Sequence, residues 1–497
     1  MRTNIRKKPL MAAGILTTAL ATLLALSVGP AQGDDHKNKS KKNMRLVGFN
    51  DLQARSAYQP ITQQQGDRWI AYIGHHNGSA PNTLLPGAPV QTNGVSIVDV
   101  TDPKRPVYLH HLPGVAGAQM VRACSGDELP FGESGHTYLL RSNGNLEHQV
   151  FDVTNPSAPV LVSTPVTGLG GTHKSYWECS TGYAYIASGV VAGTTLPGQP
   201  PVVFQDWRTN RMTQIFDLSD PKNPVFIRNF GLEGQQPGAT GDVPQSLHGC
   251  IPVIERNRVY CGHGTRANGH LVILNRDELL HPTIPLADPA NPTPAELTAP
   301  LIVDFLTPTF MGAHTTFPVL GYELPQLGPE NTMRDFIVLV NEAIGNECTE
   351  SRQMTFMVDI TDEVHPYPVS NLNVAEAEGD YCTVGGRFGS HASNENFTSV
   401  FYRKMVAISW FNAGVRMWDI RDPFNPKEVA YFIPRITENT DDRNGKFAIQ
   451  TNNVEVDDRG LVYITDRANT GLHILALTGK ARKIIDGRDD DNGDDSD

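Results

Sequence analysis

Apolar and polar positions alternate in short stretches along most of the chain, and five of these stretches share one pattern. Each alternating run ends in an aspartate, passes through a D/N-P-x-x-P segment or a variant of it, and continues into another apolar run; they read VSIVDVTDPKRPVYL, HQVFDVTNPSAPVLV, TQIFDLSDPKNPVFI, TFMVDITDEVHPYPV and VRMWDIRDPFNPKEV. Alternation with a period of two predicts β-strands. Proline fixes φ and cannot donate to a strand ladder, so the proline-containing segments are predicted to be turns.

The aspartates of this pattern recur at intervals that indicate a repeat architecture. They lie about 50 to 65 residues apart, with one gap of about two periods, and they are Asp99, Asp152, Asp217, Asp359 and Asp419. Degenerate copies at 269–282 and 471–484 fill the long gap and close the chain. With two more strands before each copy, the pattern predicts an all-β fold, a seven-bladed β-propeller with four-stranded blades over 45–484. The segment MRLVGFNDL would complete the last blade; a β-helix or a pair of sandwiches is the alternative.

The repeated strand-and-turn segments resemble the signature of the LVIVD-repeat family. Five of the seven copies are clear, and the resemblance extends over nearly the whole chain after the N-terminal segment. It implies a propeller of the kind found in exported or cell-surface proteins. It implies no particular activity, because fold and function are separate questions.

The first 33 residues have the organisation of a secretory signal peptide. Basic residues precede the apolar run LMAAGILTTALATLLALSVG, and small residues follow it at Ala31 and Gly33. This predicts cleavage and export to a periplasm or to the exterior, with a single membrane anchor as the alternative. Residues 34–44 are predicted to be a polar linker and 485–497 an acidic disordered tail. The formal net charge of −12 argues against a nucleic-acid partner or an anionic membrane surface.

Six cysteines in an exported chain predict disulfide bonds. Fifteen connectivities are possible, and the sequence alone does not choose among them. The pairings that we consider first are Cys250 with Cys261, Cys348 with Cys382, and Cys124 with Cys179.

Histidines occupy one equivalent position in several blades, at the start of the first strand. The openings GTHKSYWECS, SLHGCIPVIE, GAHTTFPVL and GSHASNENF contribute His173, His248, His314 and His391. First strands of a propeller converge on its axis, so these imidazoles are predicted to share one transition metal, with iron or copper favoured and zinc or manganese as alternatives. Gln119 fills the position in one blade, Asn452 or Asn453 fills it in the last, and the first blade has no histidine there. Alternatively, each histidine caps a hydrogen bond within its own blade.

The second strand of each blade ends on the same face as the histidine position, so the loop that follows it lies on that face too. Of the polar residues in these loops, Glu342 and His263 are the two that we predict to be catalytic. Others that face the substrate or support the metal ligands by this reasoning are His75, His76 and Asp466.

The predicted constellation is similar in architecture to two families of propeller metalloenzymes. These are the carotenoid cleavage oxygenases, with a metal held by four histidines, and the selenium-binding protein/methanethiol oxidase family. The similarity implies a metal-dependent oxidoreductase, an oxidase or oxygenase, that acts on a small molecule at the mouth of the channel. The sequence contains no G-x-S-x-G, P-loop, HExxH or dinucleotide fingerprint. A hydrolase with the same ligands, or a non-catalytic surface propeller that binds protein or glycan, is the alternative.

Overall fold

Seven four-stranded antiparallel sheets follow one another along the chain, so the predicted seven-bladed β-propeller is confirmed. The computed structural model describes residues 40–324, 333–443 and 445–488, which belong to one compact unit. The predicted signal peptide, most of the predicted linker and most of the predicted acidic tail lie outside these described residues. Within the described ranges, no helix is long and apolar enough to cross a membrane.

The first three blades are built from consecutive segments of chain. Two strands precede them, β1 (Lys41–Lys42) and β2 (Met44–Asn50). Blade 1 also carries a small hairpin, β5 (Ser79–Pro81) and β6 (Val90–Thr92). From the first strand to the fourth, the blades contain β3 (Ala57–Gln65), β4 (Arg68–His75), β7 (Gly94–Asp99) and β8 (Val107–Pro113); β9 (Val121–Ser125), β10 (Thr137–Asn143), β11 (Glu147–Asp152) and β12 (Val160–Thr167); and β13 (Gly171–Trp177), β14 (Tyr183–Gly189), β15 (Met212–Asp217) and β16 (Val225–Phe230).

Blades 4 to 7 continue in the same order. Their strands are β17 (Leu247–Val253), β18 (Arg258–His263), β19 (His270–Asn275) and β20 (Leu301–Leu306); β21 (Thr315–Tyr322), β22 (Arg334–Val340), β23 (Thr355–Asp359) and β24 (Tyr367–Leu372); β25 (Met405–Ser409), β26 (Val415–Asp419) and β27 (Lys427–Phe432); and β28 (Thr451–Val456), β29 (Leu461–Asp466) and β30 (Leu472–Leu477). Helices α1 (Arg276–Leu280) and α2 (Pro294–Thr298) lie between β19 and β20, and α3 (Gly479–Ile485) follows β30.

The aspartates of the repeated pattern end the third strand in five of the blades. In blade 1, Asp99 Oδ1 accepts a hydrogen bond from the backbone N–H of Thr101 at 2.9 Å. The same contact to the residue two positions on recurs at Asp152, Asp217, Asp359 and Asp419. A short side chain that binds the backbone ahead of it closes a tight turn, which explains why this residue type marks the repeat. Because strands alternate in direction, these turns lie on the face opposite the starts of the first strands.

The N-terminal strand closes the ring. β2 pairs antiparallel with β30, so the predicted completion of the last blade by MRLVGFNDL is confirmed. Blade 6 differs from the others, because β1 adds to its outer edge and its first strand is reduced to a bridge between Ser393 and Ile408. The side chain of Asn394 accepts a hydrogen bond from Ala407 N–H at 3.0 Å, in place of a backbone acceptor. The chain around His391 is therefore positioned by side-chain contacts as well as by a ladder.

Three disulfides join neighbouring parts of the fold. All three pairings considered from the sequence are confirmed, and they are Cys124–Cys179, Cys250–Cys261 and Cys348–Cys382. Cys250 and Cys261 are directly opposite each other on β17 and β18. Apolar side chains fill the space between neighbouring sheets, as where Ile97 of blade 1 packs with Leu139 of blade 2. The polar side chains of the first strands are left facing the axis.

Candidate metal centre

The four predicted histidines lie side by side at the starts of the first strands of blades 3 to 6. The ring centroids of neighbours are 4.5 Å apart for His173 and His248, 4.1 Å for His248 and His314, and 4.4 Å for His314 and His391. Every one of these residues is at most 6% exposed. One ring-nitrogen atom from each of His173, His248 and His314 lies within 4.8 Å of the others. Histidines from four blades thus form one continuous buried arc.

Two of the rings are oriented by acceptors on the preceding or following blade. His173 Nδ1 is 2.5 Å from Oε1 of Gln119, and His391 Nδ1 is 2.5 Å from the backbone oxygen of Asn452. These oxygens can only accept, so each Nδ1 carries the proton and donates it. The lone pair of each neutral ring is then on Nε2, which faces the cluster. Anchoring the outer nitrogen in this way is how proteins orient metal-binding histidines.

The other two rings complete the arc. His248 Nδ1 lies 3.1 Å from the Nε2 lone pair of His173, a distance at which it donates a hydrogen bond. His314 Nδ1 is 2.9 Å from the hydroxyl oxygen of Thr315, to which Lys174 Nζ donates at 3.0 Å. Within the described part of the chain, His314 Nε2 is buried without a hydrogen-bond partner. That nitrogen is therefore available to bind a metal ion.

The carboxylate of Glu342, two residues after β22, faces three of the imidazoles. Its Oε2 is 3.5 Å from His248 Nε2 and 3.9 Å from His314 Nε2. Its Oε1 is 3.6 Å from His391 Nε2 and 3.1 Å from Nη1 of Arg387. Donor atoms of His314, Glu342 and His391 form a second group within 4.8 Å. The structure therefore brings Glu342 directly to the ring nitrogens.

Burial determines the charge states in this cluster. It lowers the pKa of all four histidines well below the ordinary value, and nearby positive charges act in the same direction. The imidazoles are consequently neutral at neutral pH. The Nε2 lone pairs of His314 and His391 are available for a metal ion, whereas a metal on His173 Nε2 would displace the hydrogen bonds that this atom accepts. Burial also raises the pKa of Glu342, although the charge of Arg387 opposes that rise.

The pair of His391 and Glu342 tests whether these residues fit a cation. Because His391 Nδ1 donates to a carbonyl, the Nε2 that faces the carboxylate at 3.6 Å carries a lone pair. Two acceptors in a buried place repel each other unless a cation or a proton lies between them. Neutral imidazoles with a carboxylate beside them are a donor set that suits iron, copper, zinc and manganese. The residues fit a bound transition-metal ion.

Tyr58 occupies the equivalent position in blade 1, where the sequence offered no histidine. Its hydroxyl is 3.3 Å from His173 Nε2, and its ring centroid is 5.9 Å from that of His391. Burial raises the pKa of Tyr58 well above its ordinary value, so the hydroxyl keeps its proton and donates. Sequence reasoning missed this residue because it looked for histidine, although the opening SAY matches SLH and GAH in form.

A buried ionic network lies next to the histidines along the channel. Lys174 Nζ is 2.5 Å from Oε1 of Glu395, and Arg122 also binds this carboxylate. Burial opposes the ionisation of Glu395, but the charges of Lys174 and Arg122 outweigh it and lower its pKa. Burial raises the pKa of the nearby Glu455 to about 8. These residues come from blades 2, 3, 6 and 7, and the sequence analysis named none of them.

The second predicted catalytic residue, His263, lies at the end of β18 and has different neighbours. Its Nδ1 is 3.2 Å from the backbone oxygen of Gln245, and its ring centroid is 6.3 Å from that of His270. Burial lowers the pKa of His263 to about 4. It is on the same face as the histidine cluster, but the contacts described for it are with blade 4, and its catalytic role stays a prediction.

The remaining loop residues named from the sequence divide into two groups. His76 lies beside the cluster, with its ring centroid 5.0 Å from that of Tyr58. His75 instead binds Ser96 Oγ at 2.7 Å through Nε2 and is part of blade 1. Asp466 accepts from two backbone amides, Gln450 N–H and Ala468 N–H, each at 2.6 Å, and shapes the loop after β29.

Comparison with known proteins adds no assignment. No protein-family model matches the chain, and a search of curated proteins finds no matching relative. The resemblance of the repeats to the LVIVD-repeat family therefore stays a prediction. The seven-bladed propeller, the three disulfides and the buried cluster of histidines with Glu342 are properties of this chain's own structure.

Proposed function

We propose that this protein is an exported metalloenzyme, an oxidoreductase that holds one transition-metal ion at the mouth of a propeller. The ligands would come from His173, His248, His314 and His391. The observation that carries the proposal is the approach of His391 Nε2 to the Glu342 carboxylate at 3.6 Å, with the ring proton committed to the other nitrogen. A cation between the His391 nitrogen and the Glu342 carboxylate would stabilise this arrangement of two acceptors.

Iron and copper are the proposed metals. Imidazole nitrogen suits both, and a carboxylate beside the ligands offsets part of the charge that neutral imidazoles leave uncompensated. A bound iron or copper ion would supply one-electron redox chemistry and Lewis acidity. Zinc or manganese in the same place would support hydrolysis instead, so the identity of the native metal decides between these two activities.

The chain's own residues prepare the site for chemistry on a small molecule. The histidines are buried, and electrostatic interactions are stronger in such a place than in bulk water. Glu342, with its pKa raised by burial, is the group best placed to take up or release a proton. Tyr58 keeps its hydroxyl proton and lies 3.3 Å from His173 Nε2; a metal on that nitrogen would displace this hydrogen bond and leave the hydroxyl beside the site.

Export is part of the proposal. Its support is the N-terminal segment with the organisation of a signal peptide, and three disulfides, which form and persist in oxidising compartments. The proposed partner is a small-molecule substrate, since the histidine cluster lies where the channel opens. A propeller that only binds protein or glycan would need no such buried set of lone pairs.

Elemental analysis of the purified protein tests this function. We expect about one iron or copper atom per chain, and its loss in His314→Ala, because His314 belongs to both groups of donor atoms. The matched control is His148→Ala, which removes a fully buried histidine of blade 2 that contacts Ser188 rather than the cluster. A wild-type protein that binds no iron, copper, zinc or manganese, as purified or after incubation with each ion, would refute the proposal. One zinc per chain as the native metal would favour the hydrolase.

A further inference from the structure

Three arginines stand on the same face of the propeller as the histidine cluster. Arg211 directly precedes β15, Arg387 lies four residues before His391, and Arg467 directly follows β29. First and third strands start on this face and second strands end there, so all three positions are at the mouth of the channel. Each arginine is partly exposed. All three side chains are therefore accessible on the face where the histidine cluster lies.

Arg387 is held by the cluster itself. Its Nη1 donates to Glu342 Oε1 at 3.1 Å and to the backbone oxygen of Ala343 at 3.2 Å. Its Cζ lies 5.4 Å from the ring centroid of Phe411, and the Cζ of Arg467 lies 6.0 Å from the same ring. Phe411 thus orients two guanidinium groups, and its ring also contacts a metal-site histidine, with 4.9 Å between the centroids of Phe411 and His391.

Arg211 and Arg467 differ from Arg387 because their charges are not matched by a carboxylate contact. Among the described residues, neither side chain makes a hydrogen bond or an ion pair, and Arg211 Nε is buried without a partner. Burial lowers the pKa of Arg211, and burial together with the charge of Arg387 lowers that of Arg467 to about 10. A buried donor without an acceptor destabilises a fold, so Arg211 Nε is suited to an acceptor from outside the chain. The Arg467 guanidinium, which contacts no carboxylate in the described ranges, is available to the same kind of group.

The charges at the mouth do not balance within the protein. Three guanidinium groups are accompanied by two carboxylates, Glu342, which contacts Arg387, and Asp466, whose oxygens accept from backbone amides and contact no arginine that the structure describes. A metal ion bound to the four histidines would add further positive charge. An anion would compensate this excess charge, and guanidinium groups bind oxyanions through paired hydrogen bonds.

We propose that Arg211 and Arg467 form an oxyanion site that binds a carboxylate or phosphate group of the substrate above the histidine cluster. Arg387 stays with Glu342 and contributes its charge. As a statement about a substrate, this inference rests on the proposed function; as a statement about an anion site, it does not need the metal. The substrate class is a small anionic molecule whose reacting part extends from the arginines toward the histidines.

Titration calorimetry on the protein as purified, at low ionic strength, tests the site with sodium phosphate and sodium benzoate as probes. We expect saturable binding of at least one probe, weakened at least about tenfold in Arg467→Gln and in Arg211→Gln. Arg211→Lys and Arg467→Lys keep the charge and should bind with intermediate affinity. The matched control is Arg105→Gln, which removes the same charge from an 85% exposed side chain on the opposite face and should bind as the wild type does.

The probes and variants separate the possible outcomes. Binding of benzoate but not phosphate identifies a carboxylate site, and the reverse identifies a phosphate site. Absence of binding by the wild-type protein, or affinity unchanged in both glutamine variants, overturns the proposal. So does binding that survives in both of these variants but disappears in His314→Ala, because the anion then sits on the metal. Metal content measured on the same samples tests the proposed function separately. A metal-free protein that still binds the anion through these arginines would support the anion site and contradict the metal site.

Discussion

Gln119 accepts a hydrogen bond from His173 across the boundary between blades 2 and 3, with 2.5 Å between Oε1 and Nδ1. The contact assigns the ring proton to Nδ1 and leaves the Nε2 lone pair toward the cluster. A residue that is not itself a ligand therefore decides which nitrogen of His173 is offered to a metal. Contacts of this kind commonly affect metal affinity without being part of the coordination.

Replacing Gln119 by leucine should weaken metal binding while leaving the fold intact. Removal of the acceptor frees the His173 ring to rotate and to change tautomer, and loss of such a support costs roughly 10- to 100-fold in affinity. Competition for Zn²⁺ against a coloured chelator measures the effect. Gln119→Glu, which keeps an acceptor oxygen, should retain most of the wild-type affinity. Equal affinity of the leucine variant and the wild type would show that His173 does not contribute a ligand.

Removing the metal should lower the thermal stability of the protein. A ligand that binds only the folded state stabilises it by an amount that grows with the ratio of its free concentration to Kd, about 2.7 kcal/mol at a ratio of 100. We expect dialysis against a chelator to lower Tm by several degrees and added metal to restore it, as followed by scanning calorimetry. His314→Ala should show no response to either treatment. A wild-type Tm that is insensitive to chelator and metal would contradict the ligand assignment.

The fold was predictable because its determinants are local. The aspartate that ends a third strand closes its turn by binding the backbone two residues further on. This contact is local in sequence, and it recurs often enough to reveal the blades. The four histidines were predictable for the same reason, since each occupies the same place in a repeated unit. Tyr58 occupies the same position in blade 1, but it is not a histidine, so a search for histidines missed it.

The rest of the site could not be predicted because its contacts are between distant segments. Glu395 binds Lys174 at a separation of 221 residues and Arg122 at a separation of 273. No period or motif links these positions, and only the radial convergence of the first strands brings them together. Arg211 and Arg467 lie in loops at the mouth, whose lengths and sequences differ from blade to blade. Such loops carry specificity on a common scaffold.

Neutralising Glu395 should destabilise the protein strongly. Glu395→Gln leaves the charges of Lys174 and Arg122 buried without a counter-charge, and loss of one partner from a buried ion pair costs about 3–5 kcal/mol. Urea unfolding at pH 7 measures the difference in the free energy of unfolding. The control is Glu363→Gln, which removes a carboxylate bound to Arg258 in a solvent-accessible pair, with side chains 24% and 26% exposed, and should cost about 1 kcal/mol. Similar losses in the two variants would mean that the buried network is not ionised.

Glu455 should make stability fall as the pH rises toward about 8. Burial raises the pKa of this carboxyl from 4.5 to about 8 in the folded protein. Between pH 4.5 and pH 8, the folded state therefore keeps a proton that the unfolded state has released. In that window the free energy of unfolding decreases with increasing pH, with a limiting slope of about 1.4 kcal/mol per pH unit for one group. Below pH 4.5 both states are protonated and this group has no effect.

Glu455→Gln removes this titration and tests it directly. Relative to the wild type, the variant should gain stability steadily between pH 5 and pH 8, and the difference should level off above pH 8, where Glu455 is ionised in both states. Urea unfolding of both proteins at pH 5, 6.5, 8 and 9 gives the difference at each pH. Because Gln has nearly the shape of protonated Glu, the two proteins should be similar near pH 5. A difference that does not change with pH would mean that Glu455 keeps the same protonation state when the protein unfolds.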